Sequence, residues 1–165
     1  MVTNAGTSVA DISSENKVLL IFLRHLACIF CREALKDISK IGKELEKLNT
    51  TVVFVHMAEN EIADDVFKKY PIKNFFHISD IDKKMYSAFG LAKGDFKQLF
   101  GFKSFLGMGR AGLKGHLPQS GLIGDPNQMP GVFVIENENV TNYFLYNSVG
   151  DYPDYLSMIK KSKSK

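Results

Sequence analysis

The sequence predicts an α/β domain, a central mixed sheet flanked by helices with an insertion ahead of the late strands. Three observations carry this. Residues 17–23 (KVLLIFL) and 51–55 (TVVFV) are short apolar or β-branched runs, and a strand that is apolar on both faces suits a sheet centre covered by helices. Stretches with apolar residues every three or four positions alternate with these runs, as in parallel β-α units. Near the C-terminus, 131–136 (GVFVIE) and 140–146 (VTNYFLY) flank Asn137, Glu138 and Asn139, a hairpin signal that adds antiparallel strands.

Taken in order, residues 1–16 read as a polar N-terminal tail that lacks the basic start and apolar run of a leader. The domain proper spans 17–161. After the first strand a helix opens at Cys28 and Cys31 and runs to about Lys47, with Ala34, Leu35, Ile38, Ile41, Leu45 and Leu48 at helical spacing. Glu33 stands early in it and Lys47 late, as the helix dipole favours. The strand at 51–55 is followed by a helical stretch at 60–70 that stops at Pro71. A short strand at 74–79 and a short helix at 82–89, closed by Gly90, come next. Residues 91–127 are rich in glycine and phenylalanine and form the insertion. The hairpin follows, then an amphipathic helix at about 152–160, and 162–165 is a basic tail.

Composition excludes several classes. A chain of 165 residues fits one domain. Its 45% hydrophobic and 24% charged residues are those of a globular protein, neither fibrous nor disordered. A net charge of +3 is too mild to argue for nucleic acid. The longest apolar run, 18–23, falls far short of the ~20 residues of a membrane helix, so no membrane insertion is expected. A cytoplasmic location follows, where thiols are held reduced. Two cysteines cannot complete a four-ligand zinc site, and His25, three residues before Cys28, converges poorly with them. Neither metal nor other cofactor is expected.

The chemistry is read from Cys28-Ile29-Phe30-Cys31. A buried strand ends, a short turn follows, and the pair opens a long helix, where free N–H groups and the macrodipole stabilise a thiolate. Arg24, His25 and Arg32 add positive charge and are expected to lower the thiol pKa. A thiol of pKa ~8.5 is a few per cent ionised at pH 7 and one at ~6 is about 90% ionised, a difference of only ~3 kcal/mol. Residues at i and i+3 share a helix face, so the sulfurs can bridge. Cys28, nearer the helix start, is read as the more exposed nucleophile and Cys31 as the resolving thiol. The blander alternative is that both are small core fillers.

A second element is Gln128-Met129-Pro130-Gly131, directly before a strand. A cis Met129–Pro130 bond would set a backbone edge beside the cysteine helix and offer hydrogen bonds to a peptide substrate. From local sequence alone, a plain turn with a trans bond is the commoner outcome.

The runs LIFLRHLACIFCREAL, ISDIDKKMYSAFGL and QMPGVFVIENENVTNYFLY resemble, in that order, the peroxiredoxin-like branch of the alkyl hydroperoxide reductase/thiol-specific antioxidant (AhpC/TSA) group, which includes the peroxiredoxin-like 2 proteins and selenoprotein L. The resemblance implies a thioredoxin-like fold and oxidoreductase activity. It implies protein or small-molecule disulfides or peroxides as substrates, and a thiol reductant such as thioredoxin or glutathione. It places Pro130 at the cis-proline of thioredoxins and makes 91–127 an extended insertion of that branch. The chain also departs from these families. Typical peroxiredoxins carry their peroxidatic Cys where Cys31 stands, a Thr in place of Cys28, and an Arg near the position of Pro130. Thioredoxins carry a Trp at the place of Ala27 and a buried acid at that of Phe22. These differences favour disulfide exchange over peroxide reduction, and they leave His25 or water to take the proton of the resolving thiol.

Within the insertion, Lys93, Lys97, Lys103, Arg110 and Lys114 against Asp95 make a basic stretch interleaved with Phe96, Leu99, Phe100, Phe102, Phe105, Leu106 and Met108. Aromatic stripes at helical spacing usually face a core, so a flap covering the sheet is expected. The competing reading is a lid or docking surface for an acidic or membrane-proximal partner. His56, His77 and His116 are read as structural. Three functions follow: a thiol–disulfide oxidoreductase, a thiol peroxidase acting through Cys31, or a redox-sensing scaffold.

Overall fold

The computed structural model describes residues 1–113 and 124–162. Lys114, His116, part of the expected insertion and residues 163–165 of the basic tail lie outside the described residues. The sheet has five strands in the order β3-β2-β1-β4-β5. They are β1 (Lys17–Phe22), β2 (Thr50–His56), β3 (Phe75–Ser79), β4 (Gly131–Glu136) and β5 (Asn139–Leu145). β1, β2 and β3 are parallel, and β4 and β5 join antiparallel beside β1. The hairpin turn places Asn137 and Glu138 at positive φ. The central mixed sheet and flanking helices agree with the sequence expectation.

The double-sided burial of β1 has a direct consequence. Leu19, Ile21 and Leu23 face a core built with α2 (Ile29–Lys40), α4 (Asn60–Phe67) and α8 (Tyr155–Lys160). Val18, Leu20 and Phe22 face the opposite core, where α1 (Val9–Glu15) and α5 (Lys84–Ala88) pack. The segment expected to be a polar tail is therefore part of the domain. Val9 and Ile12 are buried against β1 and β4 neighbours, Ser8 caps the helix by accepting from Asp11 N–H at 3.0 Å, and the Asn4 N–H donates to the His77 carbonyl. Two apolar residues one turn apart are enough to cover a sheet face, but too few to stand out in a polar stretch.

The expected single helix to Lys47 divides at Ile41 (φ −97°, ψ 11°) into α2 and α3 (Gly42–Lys47). Gly42, the weakest helix former of the stretch, opens the second piece. The insertion forms α6 (Phe96–Phe100) and α7 (Phe102–Leu113). α6 starts with a capping box between Asp95 and Gln98. The expectation that its aromatics cover the sheet is not met by Phe100 and Phe105, both of which are exposed. Leu99 and Ala111 turn inward, whereas Phe105, Leu106, Met108 and Leu113 remain exposed.

Candidate active site

β1 delivers the chain to the top of the sheet, and a turn lets α2 start there. Tyr86 fixes this point, its hydroxyl donating to the carbonyls of Leu23 and of Val55 (3.1 Å for the latter). Residues 25–28 close a turn in which the Cys28 N–H donates to the His25 carbonyl at 3.0 Å. Cys28 is the N-cap of α2, in extended conformation, and makes no side-chain cap bond. Cys31 stands in the first turn. Both are free thiols, 5% and 4% exposed. The expectation that Cys28 is the more exposed is not met, because both sulfurs lie in the core cluster with Leu23, Leu26 and Ala34.

The surroundings separate the two sulfurs. The Cys28 thiol is held well below the ordinary thiol range, first by a hydrogen bond from Cys31 and further by His25 and the Arg24 charge, against the opposing effect of burial. Cys31, the partner that keeps its proton, is pushed well above that range by the same hydrogen bond and by burial. The Arg24 backbone N–H also donates to Cys31 Sγ at 3.3 Å, and its guanidinium Nη1 lies 3.9 Å from Cys28 Sγ. Arg24 is itself buried, and its Nη2 donates to the Pro126 carbonyl. His25 Nδ1 is buried without a hydrogen-bond partner among the described residues.

Two sequence expectations are corrected here. Arg24 and His25, rather than Arg32, act on the thiols. One residue past Cys31 on α2 the Arg32 side chain is rotated by ~100°, and its Nε donates to the Tyr70 hydroxyl at 3.3 Å, beyond the end of α4. The Met129–Pro130 bond is not cis, since no described peptide bond is. Nor is Met129 a free backbone edge, because its N–H donates to the Ala92 carbonyl at 3.1 Å while Gly94 N–H donates to the Asn127 carbonyl at 2.7 Å. The insertion occupies the edge on which a peptide substrate would have paired. Met129 is buried beside Leu99 and Val149. Pro130 still borders the site through a cavity of about 20 Å³ shared with Arg24, Phe30, Cys31, Tyr146 and Val149. Such a space takes about one water-sized molecule.

The pairing of Glu33 with Arg110 has no local signal in the sequence. Glu33, buried on α2, receives both Nε (3.1 Å) and Nη2 (2.9 Å) of Arg110 on α7. Arg110 Nη1 donates to the Gly150 carbonyl at 3.1 Å, and the guanidinium lies 4.8 Å over the Tyr152 ring. This bidentate clamp fastens the insertion to the cysteine helix. Only the acid–base complementarity of two residues 77 apart could have suggested it.

With this geometry in view, the comparisons with known proteins decide the family. The AhpC/TSA family model matches residues 3–143. The chain belongs to the AhpC/TSA family. A cysteine pair at a helix start is consistent with that membership. It is 22% identical to Peroxiredoxin-like 2C of Bos taurus over 86 residues, which are 52% of this chain and 37% of the bovine protein. The match thus spans little more than a third of that curated relative. The structure of PrxQ from Xylella fastidiosa superposes with a TM-score of 0.66 at 14% identity, over 97% of this chain and 84% of the other. Peroxidoxin BcpB of Mycobacterium tuberculosis superposes with a TM-score of 0.64 at 14% identity, over 99% and 92%. At such identities the likeness shows the thioredoxin-like fold of this AhpC/TSA member.

Proposed function

We propose that the protein is a thiol–disulfide oxidoreductase cycling Cys28 and Cys31 between dithiol and disulfide. The observation that supports this most is the placement of two free thiols at the first turn of α2, with the Arg24 guanidinium 3.9 Å from Cys28 Sγ. In this reading the Cys28 thiolate attacks one sulfur of a disulfide and expels the other as thiolate. Cys31 then loses its proton, to the leaving thiolate or to His25 Nδ1, and attacks Cys28 Sγ. The second substrate thiol leaves and the Cys28–Cys31 disulfide remains, until a thiol reductant such as thioredoxin or glutathione restores it. Arg24 stabilises the Cys28 thiolate.

A second reading has a specific observation in its favour. The narrow space beside Cys31 would admit a small oxidant more readily than a protein disulfide, and Arg24, two residues past β1, holds a guanidinium 3.9 Å from Cys28 Sγ. A thiolate would then attack a peroxide oxygen, release water or an alcohol, and leave a sulfenic acid. The other thiol would condense with it, giving water and the same disulfide. Measuring reduction of a model disulfide and of hydrogen peroxide by wild type, Cys28→Ser and Cys31→Ser separates the two. Disulfide reduction lost in both variants, with little peroxide turnover in any, supports the first reading. Peroxide turnover that survives in Cys28→Ser and vanishes in Cys31→Ser supports the second.

A further inference from the structure

α7 presents two faces of different character. Its inner face is small. Ser104, Gly107 and Ala111 are buried, and a Cβ on Gly107 would lie 2.7 Å from the Gly150 Cα and 3.0 Å from the Phe30 ring. Its outer face carries Phe105, Leu106, Met108 and Leu113, exposed by 69%, 56%, 47% and 93%, and a Cβ on Gly109 or Gly112 would meet open space. At ~100° per residue these six positions fall within one sector of about 160°, and none of them is charged. A contiguous apolar face of this kind marks a surface that becomes covered. Side chains this bare project outward rather than line a groove, so they suit a medium that deforms around them better than a rigid pocket.

Charge selects the medium. Between residues 91 and 113 there are four basic residues and one acid. Arg110 is engaged by Glu33, and Asp95 caps α6. Lys97 and Lys103 are exposed on α6 and at the start of α7. A second copy docked face to face would bring these lysines together, whereas anionic headgroups would neutralise them. We propose that α6–α7 docks the protein on an anionic lipid bilayer. Phe105, Leu106, Met108 and Leu113 enter the headgroup boundary, and Lys97 and Lys103 meet lipid phosphates. This is docking at the interface without crossing it. No helix among the described residues is long and apolar enough to span a membrane.

The test is co-sedimentation of the full chain, reduced, with vesicles of phosphatidylcholine alone or with phosphatidylserine added. Binding should need phosphatidylserine and weaken with salt. Lys97→Gln with Lys103→Gln should lower the partition coefficient about 25-fold, at about fivefold per lysine. Phe105→Ser with Leu106→Ser should abolish binding while circular dichroism and the Cys28 alkylation rate stay unchanged. Three results would overturn the proposal. One is no binding to either vesicle. Another is equal binding to both that ignores the lysines. The third is a solution dimer that Phe105→Ser dissolves, which would assign the face to a second copy of the chain.

Discussion

Cys28 and Cys31 are one helical turn apart, yet their thiols are driven in opposite directions. The cause is mutual, because one thiol keeps its proton and donates it to the other, and Arg24 and His25 favour the charge on Cys28. Cys28 should therefore alkylate first, with an apparent pKa below that of an ordinary thiol. Iodoacetamide labelling against pH, with peptide mapping, reads this directly, and earlier labelling of Cys31 would exchange the two roles. Arg24→Met should raise the Cys28 value and slow labelling at pH 7 several-fold. A second prediction concerns His56. The Ala58 N–H donates to His56 Nδ1, so the ring proton sits on Nε2 and faces His77 Nδ1 at 2.9 Å, while His77 Nε2 meets Asp64 at 2.9 Å. Burial, with a smaller contribution from His77, depresses His56 to about 4 from 6.5. Between those values the unfolded chain binds the extra proton, so stability is full above pH 6.5 and falls as pH drops toward 4. The loss reaches about 3 kcal/mol. Urea unfolding from pH 7 to 4 should show this slope, and His56→Asn should flatten it. Reading His56 and His77 as structural agrees with this chain of bonds. Their being partners was invisible until β2 and β3 aligned in register.

Among the elements, the contact between α2 and α7 joins the insertion to the cysteine helix. Gly107 lets α7 approach Phe30, which lies between the two cysteines, and the Glu33–Arg110 clamp holds it there. Gly107→Ala would press a methyl group into backbone and should cost about 1–3 kcal/mol. It should also speed Cys28 alkylation, since α7 must move off Phe30. Arg110→Ala should destabilise by about 2 kcal/mol, toward the low side because solvent reaches the arginine, by leaving the Glu33 carboxylate buried without its cation. Glu33→Gln with Arg110→Met should recover part of the loss, as a double-mutant cycle in thermal unfolding would show. Elements with strong periodicity were legible, including β1, β2, α4 and the β4–β5 hairpin, because their apolar spacing is dictated by the sheet. α1 was not, since its burial rests on Val9 and Ile12 alone. The trans bond at Pro130 was not legible through the family resemblance either. What settles that edge here is the pairing of residues 92–94 with 127–129, a contact between segments more than thirty residues apart.

For the whole molecule, the sheet order explains why the cysteine pair sits at one end of a central strand. β1 is central, covered on both faces, and ends where α2 begins, so the fold delivers Cys28 and Cys31 to one rigid point. The cysteines were legible because their spacing and the strand–turn–helix context are local. The direction of Arg32, the clamp and the outward apolar face depend on helix phase and on long-range packing, and local sequence leaves those open. Intact-mass and peptide analysis after exposure to oxidised glutathione reads whether Cys28 attacks and Cys31 resolves. Wild type should end without adduct and lighter by two hydrogens through a Cys28–Cys31 bond, Cys31→Ser should retain glutathione on Cys28, and Cys28→Ser should react slowly. A wild-type protein that accumulates glutathione on Cys31, or never forms the internal bond, would contradict that assignment.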